Sequence, residues 1–161
     1  MHQLILIIDD SVCVRKIVET TLRREGYATM GFADGESALR WLASEQERIP
    51  SLIILDVTLP KMDGYTVLSC LRKRAATAQT PVVMLSRHSG LLDRLKGRLA
   101  GACVYLTKPF RQQTILEVVR AQMAQPVVAP VASGTMRLTR SLASTPARPS
   151  VRPILLQRME G

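Results

Sequence analysis

Aromatic side chains are scarce: two Phe, one Trp and three Tyr make up 4% of 161 residues. Proteins that read base edges or stack single-stranded nucleic acid depend on aromatic platforms. Sequence-specific DNA binding is therefore not expected, despite a formal net charge of +9 and a pI near 10.2. The distribution of charge agrees: residues 1–125 hold 17 basic and 12 acidic side chains, and residues 126–161 hold 5 and 1. Positive charge is spread along the chain, which leaves only a generic attraction to polyanions. Cysteine is nearly absent too. Cys13, Cys70 and Cys103 are odd in number and far apart, which excludes a disulfide framework and a zinc site of paired thiolates and points to packing roles. No apolar run approaches the roughly 18–20 residues of a membrane span, and "LILII" near the start is too short for a signal peptide. A cytoplasmic protein is expected.

What the chain does have is an alternation of short apolar runs and helical stripes. Leu4–Ile8, Tyr27–Phe32, Leu52–Leu55, Pro81–Leu85 and Ala102–Leu106 read as strands. Between them, Val12 to Leu22, a stretch from Asp34 or Gly35 through Leu42, Tyr65 to Leu71, and Leu91 to Leu99 carry apolar residues at helical spacing, and a closing helix runs to about Met123. Gly26 is placed to cap the first helix, and Arg72-Lys73-Arg74 to form a solvated end of the third, favoured by the helix dipole. Five such βα units demand a parallel sheet with helices on both faces, because each right-handed crossover lays its helix against the sheet. The folded domain is expected over residues 1–125. Residues 126–161 hold five of the nine prolines and no aromatic residue, so a disordered basic tail is expected there. Its Ile154-Leu155-Leu156 reads more readily as a random apolar trio than as a short docking motif.

Charge at the strand ends carries the chemistry. Asp9-Asp10 follow strand one, Asp56 ends strand three in "LIILDVTLPKMDG", Ser86 follows strand four, and Thr107-Lys108-Pro109 follow strand five. Asp56 alone would serve equally well as a cap for the following turn. In an open α/β sheet, however, the carboxyl edge is where ligands bind, and strands one, three, four and five lie side by side there. Three converging carboxylates raise one another's pKa unless a cation is present, and an open site of hard oxygens suits Mg²⁺. With Lys108 as a second positive charge and Ser86 as a hydroxyl donor, the constellation suits phosphoryl transfer to Asp56 as nucleophile.

These residues, Asp9-Asp10, Asp56 in "LDVTLPKMDG", Ser86 and Lys108-Pro109, resemble the receiver domain of bacterial two-component response regulators over about residues 3–123. The resemblance implies a flavodoxin-like doubly wound sheet of strand order 2-1-3-4-5 and a single-domain phosphoacceptor rather than an enzyme, charged on Asp56 by a histidine kinase or phosphotransfer domain. It adds phosphorylation by small donors and self-dephosphorylation. It implies Mg²⁺ held by Asp10, Asp56 and the backbone carbonyl of Thr58, with Asp9 acting through water, Lys108 on the phosphoryl group, and a cis Lys108-Pro109 bond. Ser86 and Tyr105 would form the switch, altering a face built from the fourth helix, strand five and the closing helix, where a downstream protein docks, as a monomer or a phosphorylation-dependent dimer.

A narrower likeness, in "MLSRHSGLLDRLKGRLAGACVYLTKPF", is to receivers of pilus-associated chemosensory systems that control twitching motility. It implies a chemotaxis-type kinase and a target in the pilus machinery. Arg87, where the family has a small residue, and Thr58, where it has amides and acids, depart from the pattern and are expected to alter the life of the phosphoryl group. His88 reads as a solvated loop residue. Rival readings are a haloacid dehalogenase-type phosphatase, which fails because Thr58 stands where an acid/base Asp is needed, a polyanion-binding protein acting through its basic tail, and a phosphorylation-independent adaptor.

Overall fold

The computed structural model describes residues 3–44, 48–87, 101 and 104–124. The elements follow in the order β1 (Leu4–Ile8), α1 (Val12–Arg24), β2 (Ala28–Phe32), α2 (Gly35–Ser44), β3 (Leu52–Asp56), α3 (Gly64–Lys73), β4 (Val82–Ser86), β5 (Val104–Thr107) and α4 (Gln112–Met123). The predicted helix over Leu91 to Leu99, His88, Cys103 and the tail from 125 onward lie outside the described residues. All neighbouring strands pair in parallel, in the order β2-β1-β3-β4-β5, which is the flavodoxin-like arrangement.

Why the sheet is covered on both sides follows from the period-2 alternation of strand side chains. Leu6, Ile8, Ile53, Leu55, Val82 and Met84 face α2 and α3, where they meet Ala38, Leu42, Val67, Leu68 and Leu71. Their neighbours Ile5, Ile7, Leu52, Ile54, Val83 and Leu85 turn the other way, toward Val18 and Leu22 of α1 and Ile115 and Val119 of α4. Residues that go to opposite faces must both be apolar, which is why β3 and β4 are buried from end to end while the edge strands β2 and β5 are only half-buried. Each fully buried Leu or Ile contributes about 1.5–3 kcal/mol, so the three central strands anchor the domain.

Helix ends are specified locally. The Ser11 hydroxyl accepts from the Val14 N–H, Asp34 from the Ser37 N–H at 2.8 Å, and Asp63 from the Thr66 N–H at 2.7 Å, each satisfying an orphan donor of a first turn. Gly26, at φ +86°, ends α1 as expected.

Three sequence expectations need correction. The basic end of α3 is not simply solvated: Arg72 donates to the carbonyls of Thr77, Ala78, Thr80 and Gly101, and Arg74 donates to the Leu42 carbonyl at 2.7 Å. Both guanidinium groups are consumed by backbone carbonyls rather than by water. Cys13 is exposed rather than packed. Within the stripe of α1, Val12 and Ile17 face outward, 55% and 46% exposed, and only Val18, Thr21 and Leu22 are buried.

Candidate functional site

The register of the sheet assembles the site. Ile8 lies beside Leu55, Asp56 beside Leu85 and Ser86 beside Thr107, so the residues at or just past these ends, Asp9, Asp56, Ser86 and Lys108, gather at one edge. Asp9 and Ser86 are wholly buried and Asp56 is 1% exposed. Asp10, next in the chain, is exposed.

Lys108 holds the buried carboxylates together, its Nζ lying 2.6 Å from Asp9 Oδ2 and 2.6 Å from Asp56 Oδ2. Its own placement is fixed by its backbone N–H, which donates to the Ser86 carbonyl at 2.6 Å, and the peptide that follows, Lys108-Pro109, is cis. The second oxygen of Asp9 accepts from the Ser11 N–H at 2.9 Å; that of Asp56 accepts from the Thr58 N–H at 3.1 Å. Asp56 therefore also caps its turn, the plain role that the sequence left open. Burial pushes the Asp9 carboxyl up from its ordinary range; the Lys108 and Ser11 hydrogen bonds pull it down, but burial outweighs them.

One oxygen each from Asp9, Asp10 and Asp56 lies within 4.8 Å of the others. Hard oxygen donors, two buried and one facing solvent, fit a small divalent cation that keeps part of its water shell. Thr58, whose carbonyl was expected to complete that set, lies in the turn beside Asp56, bound through its N–H.

The loop after β3 is drawn tightly onto the site. The Gly64 N–H donates to the Val57 carbonyl at 2.8 Å, and a Cβ on Gly64 would stand 2.2 Å from the Asp56 carbonyl oxygen, so only glycine lets α3 start so close to Asp56. Lys61 holds a positive φ of 67° in the same loop, a conformation that costs a non-glycine residue about 1 kcal/mol or more.

The remaining sequence candidates stand around this centre. Tyr105 is half-buried on β5. It shares the face of Met84 and Ser86, since Met84 pairs with Tyr105, and packs on the core below α3. Arg87 is exposed and lines, with Val14, Ile17, Lys108 and Phe110, a groove of about 510 Å³ beside the carboxylates. Arg15 was not singled out by its sequence position, yet its guanidinium donates to the Asp9 carbonyl at 2.5 Å; only its distance of six residues from Asp9, on a helix starting at the site, hinted at this.

The response regulator receiver domain family matches residues 5–120. Among known proteins, the chain is 36% identical over 119 residues to the protein PilG of Pseudomonas aeruginosa, covering 74% of this chain and 86% of PilG. It is 40% identical over 117 residues to the DNA-binding dual master transcriptional regulator RpaA of Synechocystis, covering 73% of this chain but 47% of RpaA. The chain thus spans about half of such DNA-binding relatives. Among solved structures it resembles the chemotaxis response regulator CheY4 of Vibrio cholerae, at 31% identity and a TM-score of 0.70 over 76% of this chain and 99% of that one. It also resembles the receiver domain of a sensor histidine kinase from Pseudomonas aeruginosa with a magnesium ion coordinated in its active-site cleft, at 27% identity and a TM-score of 0.69 over 78% of this chain and all of that one.

Proposed function

The chain belongs to the response regulator receiver domain family, and from that premise we propose that it is a phosphorelay acceptor charged on Asp56. The observation that carries this reading is the pair of buried carboxylates joined by one lysine, with an exposed third carboxylate beside them. A purely structural network at this depth would be a costly way to stabilise a fold, since buried ion pairs seldom repay their desolvation.

In the proposed reaction an Asp56 oxygen attacks the phosphorus of a phosphohistidine or of a small phosphoramidate. The P–N bond breaks, its electron pair stays on nitrogen, which takes a proton, and an acyl phosphate forms on Asp56. Asp9, Asp10, Asp56 and the Thr58 carbonyl are the residues that would hold Mg²⁺, which neutralises charge on the phosphoryl oxygens. Lys108 supplies the second positive charge from the other side and Ser86 a hydroxyl donor. Attack of water on phosphorus later returns the carboxylate and releases inorganic phosphate, at a rate set in part by Arg87 and Thr58.

The partner that fits the groove is a helix bearing the phosphohistidine. Val12 and Ile17 give α1 an outward apolar edge, and Arg87 and Lys108 stand at its rim. The output is a change in the face around β5 and α4, driven when the Ser86 hydroxyl turns to the phosphoryl oxygens and Tyr105 follows. The likeness to PilG supports a place in pilus-linked, chemotaxis-like control, with a downstream protein as target.

The test is intact mass after incubation with Mg²⁺ and phosphoramidate. A gain of about 80 Da, one phosphoryl group, in the wild type and not in Asp56→Asn is expected, and chelation by EDTA is expected to abolish it. No gain in a folded wild-type protein refutes the reading.

A further inference from the structure

Tyr65 opens α3 directly after Gly64, the residue laid against the Asp56 backbone. Its hydroxyl reaches across to β5 and lies 3.4 Å from the Tyr105 hydroxyl. Both rings are half-buried against the same core cluster. The residues are 40 apart in sequence, so the contact joins the element fixed to the acceptor with the strand that carries the switch ring.

Building on the reading of Tyr105 as a switch, we infer that Tyr65 is its positioning residue, with the Tyr65 hydroxyl restraining the Tyr105 ring in the unphosphorylated protein. Three features make the contact suited to this. Gly64 donates to Val57 and leaves no room for a side chain between α3 and Asp56, so Tyr65 is anchored relative to the acceptor. β5 is an edge strand, which leaves the Tyr105 side freer to move than the central strands. The hydroxyl pair, at 3.4 Å, is longer than an ideal O–H···O bond, so it biases the ring without locking it. A neutral hydrogen bond at the weak end of its range changes an equilibrium about two- to five-fold. Because coupling between two sites is reciprocal, loss of the restraint and phosphorylation of Asp56 favour the same ring position.

The chain contains only three tyrosines, Tyr27, Tyr65 and Tyr105, so 3-fluorotyrosine labelling of the full chain gives three ¹⁹F signals, assigned from Tyr65→Phe and Tyr105→Phe variants. Spectra are recorded with and without Mg²⁺ and phosphoramidate, and intact mass is taken on the same samples. In unphosphorylated Tyr65→Phe, the Tyr105 signal is expected to move toward its phosphorylated position. The initial rate of phosphorylation should rise two- to five-fold, and Tyr65→Phe should add nothing in a Tyr105→Phe background. A Tyr105 signal and phosphorylation rate that are indifferent to Tyr65, in proteins that gain the phosphoryl mass, overturn this inference alone. Absence of the mass gain in every protein overturns the acceptor reading and this inference with it. A Tyr65→Phe rate effect that persists undiminished without the Tyr105 hydroxyl overturns the inference as well, because the effect then runs through packing.

Discussion

The two edges of the sheet both hold half-buried or buried cations, and they use them differently. At the carboxyl edge Lys108 faces two buried carboxylates; at the amino edge Arg72 faces four neutral carbonyls, from Thr77, Ala78, Thr80 and Gly101. A cation among carbonyls ties separate backbone segments together through charged hydrogen bonds, so its removal is a loss of stability. A cation among carboxylates balances charge that repels itself, so the group is held ready for another anion. The partner of a buried charge, more than the charge, separates the proposed reactive edge from the structural one.

The contrast is sharpest at Asp56. Asp56→Asn is expected to reduce phosphoryl uptake at least about 100-fold, while stability changes by less than about 1 kcal/mol, because a repulsive charge leaves as a hydrogen bond weakens. Intact mass and urea denaturation on one preparation check both halves. Gly64→Ala should join the two kinds of loss: a Cβ 2.2 Å from the Asp56 carbonyl oxygen forces α3 off the acceptor, costing about 1–3 kcal/mol and slowing phosphorylation.

Arg72→Ala is the mirror image of Asp56→Asn. About 2 kcal/mol of stability is expected to go, from charged hydrogen bonds that are partly exposed, with the phosphorylated fraction at saturating phosphoramidate unchanged. A fall in that fraction in still-folded protein would erase the distinction between the edges. The smallest effect belongs to Asp34, which caps α2 and whose carboxyl is held below its ordinary range, chiefly by the Ser37 N–H. Its folded-state value being the lower one, its contribution is complete above the unfolded-state value near 3.8 and is lost as pH falls through the folded-state value. Asp34→Ala should cost about 1 kcal/mol at pH 7 and less at pH 3, as thermal melts at the two pH values would show.

Most of the fold was legible because strands buried on both faces are unbroken apolar runs, and Leu4–Ile8 and Leu52–Leu55 are such runs. Boundaries shifted where polarity misled: β4 includes Ser86 and β5 includes Thr107, and the predicted start at Pro81 falls ahead of Val82. Ladder hydrogen bonds do not require an apolar side chain. At the site, Asp9, Asp56 and Lys108 could be brought together by topology alone, because each follows or ends a strand. Arg72 was misjudged because its partners are backbone carbonyls, which leave no trace in side-chain spacing. Tyr65 was read only as part of a helical stripe: a ring that packs and a hydroxyl that reaches a partner look identical in a periodic pattern.

The sequence separations within the charged centre have a consequence for biosynthesis. Lys108 lies 99 residues from Asp9 and 52 from Asp56, and β5, which delivers it, is the last of this sheet's five strands to leave the ribosome. A nascent chain can pair β1 with β3 and bring two carboxylates together, but it has no cation to set between them until the fifth strand docks on β4. The charge-balanced centre is therefore complete only when the fifth strand docks, and a truncated or half-folded copy carries Asp56 without the Lys108 ammonium beside it.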